Sequence, residues 1–307
     1  MSDDGTHMAF VGVSTGGSSI RRVFPAWADT LGLPTRTLVG HDLPPGSDPA
    51  RYRELVARLR DDPTCRGGLV TTHKVGVYGA AADLFDDLDD LARTFGEISS
   101  ISRRDGRLVG RARDPITVSL ALAEFLADDH FAATGGEVLC LGSGGAGMAL
   151  THQLGVRDDR PSRVTCTALD EGSLRHLRDL HQRAGLPGEL FRYEVTPDPR
   201  DADALLARLP AGSLVVNATG LGKDAPGSPL TDEAVFPRGA VVWEFNYRGS
   251  LEFLHQARRQ QDDRDLVLED GWRYFVHGWS TVVADVFDVP MPPATVAELS
   301  RVAAGFR

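Results

Sequence analysis

Lysine is almost absent from this 307-residue chain: Lys74 and Lys223 are the only two among 33 basic residues. Basic charge as a whole is in deficit, with 43 acidic residues and a formal net charge of −10. No basic cluster offsets that field, which repels phosphate backbones, so no nucleic-acid partner is expected. A run of 18 apolar residues is missing, and Met1, Ser2, Asp3, Asp4 and Gly5 do not form a signal peptide, so no membrane partner is expected. Cysteine is limited to Cys65, Cys140 and Cys166, an odd set with no pairing pattern. That usage fits a reduced, cytoplasmic protein, with Cys140 and Cys166 acting as small hydrophobes in core strands. His73, His152, His176, His181 and His255 are scattered without metal-ligand spacing, so no metal is expected. Internal repeats and low-complexity segments are also lacking.

The composition that remains, 42% hydrophobic and 25% charged, leaves room for two cores. The most informative stretch lies mid-chain. An apolar run over residues 138–141 leads into Gly142, Gly144 and Gly147, spaced G-x-G-x-x-G, and a helical pattern follows from Met148. This is the strand–turn–helix context of a dinucleotide fingerprint. The first glycine permits the turn, the second admits a pyrophosphate, and the third lets helix and strand pack closely. The helix N-terminus supplies oriented N–H groups. A glycine-rich turn in an unrelated α/β fold is the alternative. Because the motif begins near residue 140, a domain-sized segment precedes it.

That segment alternates strands and helices. Strands are expected over residues 8–14, 35–39 and 67–71, and helices over 20–31, 49–60 and 84–95. Residues 97–102 and 107–109 form a hairpin about Arg104, Asp105 and Gly106. A helix over 116–127 crosses to a second alternating segment. There strands are expected at 137–141, 163–168, 213–217, 240–245 and 266–268. Helices are expected at 148–154, 172–184, 201–208 and 251–260. Residues 274–287 read as a helix returning to the first domain. The fold class is therefore α/β, an N-terminal α/β substrate domain plus a C-terminal doubly wound Rossmann domain. The expected division is a substrate-binding and catalytic domain over residues 1–115, rejoined by 271–307, and a nucleotide domain over 116–270.

Several residues have two readings each. Asp170, after the second strand of the nucleotide domain, can accept from a ribose 2′-OH or cap the following helix. No Arg or Lys stands at that strand tip and Arg175 is five residues on, so NAD is favoured and NADP is the alternative. Lys74 ends the 67–71 strand segment, where α/β domains bind ligands. It is either a proton acceptor with a lowered pKa or a solvated lysine. Asp114 either caps the crossing helix or binds a substrate hydroxyl and holds an ammonium. Asn217, Ala218 and Thr219 follow a strand and lie beside the nicotinamide, or form a plain turn.

Together these segments resemble the shikimate/quinate dehydrogenase family over nearly the whole chain. Residues 12–18 resemble the opening loop whose serines bind a substrate carboxylate. Val70, Thr71, Thr72, His73 and Lys74 resemble the strand ending in the catalytic lysine. Residues 96–100 resemble a segment that usually reads Gly-Ala-x-Asn-Thr, and residues 105–114 a run that ends Asn-Thr-Asp. Residues 142–149 are similar to the family's glycine loop. Asn217, Ala218 and Thr219, Glu244 to Tyr247, and residues 271–278 resemble later motifs. The resemblance implies Lys74 and Asp114 as catalytic residues. It implies Ser18, Thr71, Ser99, Tyr247 and His277 at the substrate, and Gly142, Gly144, Gly145, Ala146, Gly147, Asp170, Asn217 and Thr219 at the cofactor.

The departures fall on the residues that read the substrate. Ile20 or Ser19 replaces the second carboxylate-binding serine. Ser99 replaces an asparagine, Gly278 a glutamine, and the proline before the lysine is missing. The family's NADP forms carry Asn-Arg-Thr where this chain has Ala168, Leu169 and Asp170. The resulting expectation is a shikimate dehydrogenase-like oxidoreductase. It would transfer hydride between NAD, or NADP, and a cyclic polyol or hydroxy acid other than shikimate, bound between the domains. A non-catalytic NAD-binding sensor is the alternative. A monomer or homodimer, with a small molecule as its partner, is expected.

Overall fold

The computed structural model describes residues 4–223 and 225–307. The chain divides into two compact units, Met1–Arg113 with Val276–Arg307, and Asp114–Phe275.

The first unit is built on a six-stranded mixed sheet. Its strands are β1 (His7–Gly12), β2 (Leu38–Asp42), β3 (Cys65–Val70), β4 (Asp87–Leu88), β5 (Ser100–Arg104) and β6 (Arg107–Arg111), in the order β2-β1-β3-β5-β6-β4. β1 pairs parallel with β2 and β3, while β5 runs antiparallel to β3 and β6. The helix Ile20–Leu31 forms because Ile20, Val23, Phe24, Trp27 and Ala28 make one buried stripe, and Gly32 ends it in the left-handed region at φ +66°. Helix Pro49–Asp61 starts with an Asp48 cap and a proline at its first position. Its Tyr52, Leu55, Val56 and Leu59 pack with Val11, Val70, Val77, Ile98 and Ile101 into one core. Phe10 packs edge-on to Trp279 at 4.9 Å between centroids, and the Trp27 indole N–H donates to the Leu299 carbonyl at 2.9 Å.

A buried ion cluster ties the helix Trp272–Phe287 to the hairpin. Asp285 accepts from Arg113 at 2.5 and 2.6 Å, from Arg111 at 2.7 Å and from the Ser100 hydroxyl at 2.9 Å. Burial pushes its carboxyl up, and the Arg113 and Arg111 charges outweigh that, holding it below the usual carboxylate range.

The hairpin turns at Asp105 (φ +51°) and Gly106 (φ +78°), the two left-handed residues a tight turn of this hand requires. Elsewhere local chemistry overrode the expected pattern. Residues 84–95 do not form one helix. The Asp86 amide donates to the Leu108 carbonyl and the Leu108 amide donates to the Asp86 carboxylate, which draws β4 onto the sheet edge, and Asp89 caps a separate helix Asp90–Phe95 through the Ala92 amide. The helix Lys74–Ala81 was hidden by Gly76 and Gly79. Gly76 lies against the Tyr52 ring, 2.8 Å from where a Cβ would stand.

The second unit holds β7 (Val138–Leu141), β8 (Val164–Ala168), β9 (Phe191–Val195), β10 (Leu214–Asn217), β11 (Val241–Glu244) and β12 (Val267–Glu269). All neighbours are parallel, in the order β12-β11-β10-β7-β8-β9. This is the doubly wound arrangement, with the strand order reversing about β7. The short apolar strands are buried on both faces, as parallel strands must be, and Leu139, Leu141, Val215 and Val242 pack against Phe236 and Phe253. β9 escaped the sequence reading because Arg192, Glu194 and Val195 are exposed on an edge strand. No helix among the described residues is long and apolar enough to cross a membrane.

Candidate active site

The glycine turn follows β7, where the strand order reverses. Gly142 has φ +105°, and a Cβ there would stand 2.8 Å from the Ala218 carbonyl and 2.9 Å from the Thr219 amide. A Cβ at Gly147 would strike the Gly142 carbonyl. Both glycines are demanded by the fold itself. Gly144 is different. It is exposed, it caps the helix Gly145–Val156 in extended backbone (φ −73°), and a Cβ there meets nothing within 4 Å. Protein packing does not require glycine at this position. Gly145 and Ala146, part-buried, form the first helical residues behind it.

The segment pressed against Gly142 is braced from below. Asn217, fully buried at the end of β10, accepts from the Thr219 amide (3.1 Å) and hydroxyl (2.7 Å). Its own amide donates at 2.6 Å to Glu244, its register partner at the end of β11. Glu244 also accepts from the Asn246 amide at 2.8 Å. Burial pushes the Glu244 carboxyl up to about 7, only partly offset by these donors. Glu244 and Asn246 carried no assigned role in the sequence. The signal was a second chemistry-bearing strand end beside Asn217. Tyr247 packs on Phe275 at 4.6 Å and Trp272 at 5.5 Å.

Asp170 caps the helix Glu171–Arg183, accepting from the Ser173 amide at 2.9 Å and hydroxyl at 2.8 Å. Those bonds hold its carboxyl below the usual range. It remains exposed, beside Leu169, which is 74% exposed. Arg175 comes nearer than its sequence distance suggested. A Cβ on Gly172 would lie 2.9 Å from Asp170 Oδ1 and 3.8 Å from Arg175 Nη2.

In the first unit, β1 and β3 are neighbours, and their ends meet where a Cβ on Gly12 would stand 2.9 Å from Thr71 Cγ2. Lys74 opens the helix Lys74–Ala81 with His73 as its cap. The His73 ring is clamped, with Nε2 2.8 Å from the Leu43 carbonyl and Nδ1 3.1 Å from the Tyr52 hydroxyl. A carbonyl only accepts, so Nε2 donates and Nδ1 of the neutral ring accepts. Ser18 is buried in the opening loop, its amide donating to the Thr15 carbonyl. The Ser99 hydroxyl is engaged by backbone, accepting from the Arg113 amide at 2.7 Å. It thereby fixes the chain just before Asp114, which is buried and begins the helix Asp114–Leu122 of the second unit. His277 is buried in the helix Trp272–Phe287, its carbonyl accepting from the Thr281 hydroxyl.

No family model matches the chain. It is 29% identical over 179 residues to the shikimate dehydrogenase (NADP(+)) of Streptococcus gordonii, covering 57% of this chain and 58% of that protein. It is 29% identical over 232 residues to the shikimate dehydrogenase (NADP(+)) of Symbiobacterium thermophilum, covering 75% and 72%. The quinate dehydrogenase of Corynebacterium glutamicum, solved in complex with NAD, superposes with a TM-score of 0.74 at 19% identity, over 98% of this chain and 99% of that one.

In sequence and fold the chain is similar to shikimate and quinate dehydrogenases.

The match thus spans about three-fifths of the first of these shikimate dehydrogenase relatives. The departures from the resembled motifs now have positions. Ile20 is fully buried in the first turn of its helix and adds nothing to the opening loop's polar surface. Ser99, shorter than asparagine, spends its hydroxyl on backbone. No group of three or more His, Cys, Asp or Glu able to hold a metal occurs among the described residues.

Proposed function

We propose that the protein is a nicotinamide-dependent dehydrogenase of a ring polyol or hydroxy acid other than shikimate, preferring NAD. The observation that carries the reading is the open space at Gly144, on a helix N-terminus at the strand-order reversal. A nicotinamide dinucleotide fits that space and, when bound, supplies the hydride acceptor. Gly145, Ala146 and Gly147 would present their N–H groups to its phosphates, with Gly142 shaping the turn. Asp170 would accept from the ribose hydroxyls, and Asn217 and Thr219 would border the nicotinamide.

Lys74 would take the alcohol proton. Its place at a helix N-terminus disfavours the ammonium and so favours a base near neutral pH. Asp114 would bind the same hydroxyl and hold Lys74 in orientation. Ser18, Thr71, Ser99, Tyr247 and His277 would form the wall around the rest of the substrate. Ile20 or Ser19 at the second serine position, and the small residues at Ser99 and Gly278, support a substrate other than shikimate.

The test is a screen of cyclic polyols and hydroxy acids with NAD, read at the NADH absorbance band. Turnover on at least one is expected, and Lys74→Ala should lower kcat about a thousandfold while NAD still binds by calorimetry. Tight NAD binding with no turnover on any of them would refute the reading and leave a nucleotide sensor.

A further inference from the structure

Glu97 replaces the alanine of the family's Gly-Ala-x-Asn-Thr segment and is only 3% exposed. A carboxylate buried to that degree is costly unless a cation or several donors accompany it. Its neighbours on both sides are fastened to the helix that Lys74 begins. On one side the Ile98 amide donates to the Lys74 carbonyl at 3.1 Å. On the other, a Cβ on Gly96 would lie 3.9 Å from the Tyr78 ring, and Tyr78 is four residues from Lys74, on the same helix face.

The charged and titratable groups of the surrounding elements are committed elsewhere. Arg111 and Arg113, at the end of β6, hold Asp285. Arg53, from the helix Pro49–Asp61, pairs with Asp83, and Tyr52 of that helix bonds His73. Asp89 caps its own helix, and Arg93 of that helix is exposed. The basic side chain on the helix to which the Glu97 segment is fastened is Lys74.

We propose that the Glu97 carboxylate pairs with the Lys74 ammonium and acts as a positioning residue for it, offsetting the helix N-terminus and raising the pH at which the amine becomes a base. The catalytic consequence rests on the proposed dehydrogenase reading; the pairing does not.

Because Lys74 and Lys223 are the only lysines, the pairing is directly readable. Reductive methylation with ¹³C-formaldehyde labels the two side chains and the N-terminus, and Lys74→Arg assigns the signal. In Glu97→Gln the Lys74 titration midpoint should fall by about one pH unit, a tenfold change in acid dissociation, with the Lys223 midpoint unmoved. Glu97→Asp should restore most of the shift. Glu97→Ala is the second variant should the glutamine fold poorly. An unmoved Lys74 midpoint in a folded variant would overturn the pairing. The acid limb of kcat/KM for alcohol oxidation should move down by the same amount. If the midpoint moves and that limb does not, the pairing stands and the assignment of Lys74 as the base fails.

Discussion

The three glycines of the turn separate fold from ligand, and that separation can be measured. At Gly142 an alanine meets two penalties. The backbone sits at φ +105°, where a side chain costs about 1–3 kcal/mol. The new Cβ would also stand 2.8 Å from the Ala218 carbonyl, inside van der Waals contact, and overpacking of this kind costs about 1–3 kcal/mol. A combined loss near 3 kcal/mol should lower Tm by roughly 6–12 °C.

At Gly144 neither penalty applies, because φ is −73° and nothing lies within 4 Å. Exchanging glycine for alanine at a helix cap costs less than about 1 kcal/mol, so Tm should fall by no more than roughly 4 °C. The methyl group would instead occupy the path of a pyrophosphate. NAD affinity should drop at least tenfold, about 1.4 kcal/mol. Thermal melts of Gly142→Ala and Gly144→Ala, with calorimetric NAD titration of the second, test this directly. The reasoning fails if Gly144→Ala melts as low as Gly142→Ala, or if it binds NAD as tightly as the parent.

Asp170→Ser keeps a helix cap but removes the charge beside Arg175, so Tm should hold while the NADP-to-NAD affinity ratio rises at least tenfold; an unchanged ratio would detach Asp170 from cofactor choice. Glu244 keeps its proton to about pH 7 in the fold against an ordinary value of 4.5, so between those values the native state binds the extra proton and stability falls as pH rises. Burial holds His181 down to about 4 against 6.5, with its ring between the Thr151 and Tyr193 hydroxyls, so its contribution is lost as pH falls through that window. Where the windows overlap the slopes oppose. Glu244→Gln should give a stability that climbs with pH and His181→Phe one that declines, and parallel pH–Tm curves for all three proteins would contradict both assignments. Asp285→Asn leaves Arg111 and Arg113 facing a neutral group; breaking a buried pair costs about 3–5 kcal/mol, and a loss below about 1 kcal/mol in urea unfolding would show the cluster to be dispensable.

What the sequence disclosed depended on how sharply physics restricts each position. The interior strands of the second unit were legible because parallel strands buried on both faces must be apolar throughout, and Val138, Leu139, Cys140 and Leu141 are all fully buried. Ile20–Leu31 was legible because its buried stripe has helical spacing. Residues 84–95 were not, since Asp86 and Asp89 divert the backbone through side-chain hydrogen bonds that periodicity does not register. The helix opened by Lys74 was masked by Gly76 and Gly79; the reason for Gly76, the Tyr52 ring, comes from another element. The proximity of Arg175 to Asp170 was likewise hidden, because it arises from one helical turn rather than from spacing along the strand tip.

The same distinction separates the glycine turn from the residues proposed to line the substrate. A turn at φ +105° with a backbone 2.8 Å away tolerates glycine alone, so Gly142 and Gly147 cannot drift without loss of fold. A hydroxyl-reading position carries no such constraint. Ser99 shows that a hydroxyl at an expected site residue can be engaged by the backbone, on Arg111 and Arg113, and Ile20 that a neighbouring position can join the core. Each change is compatible with the fold, and each removes or redirects one polar contact. Relaxed constraint alone, however, favours small or apolar replacements. It does not favour placing a carboxylate at Glu97 in the interior, where an unaccompanied charge costs stability.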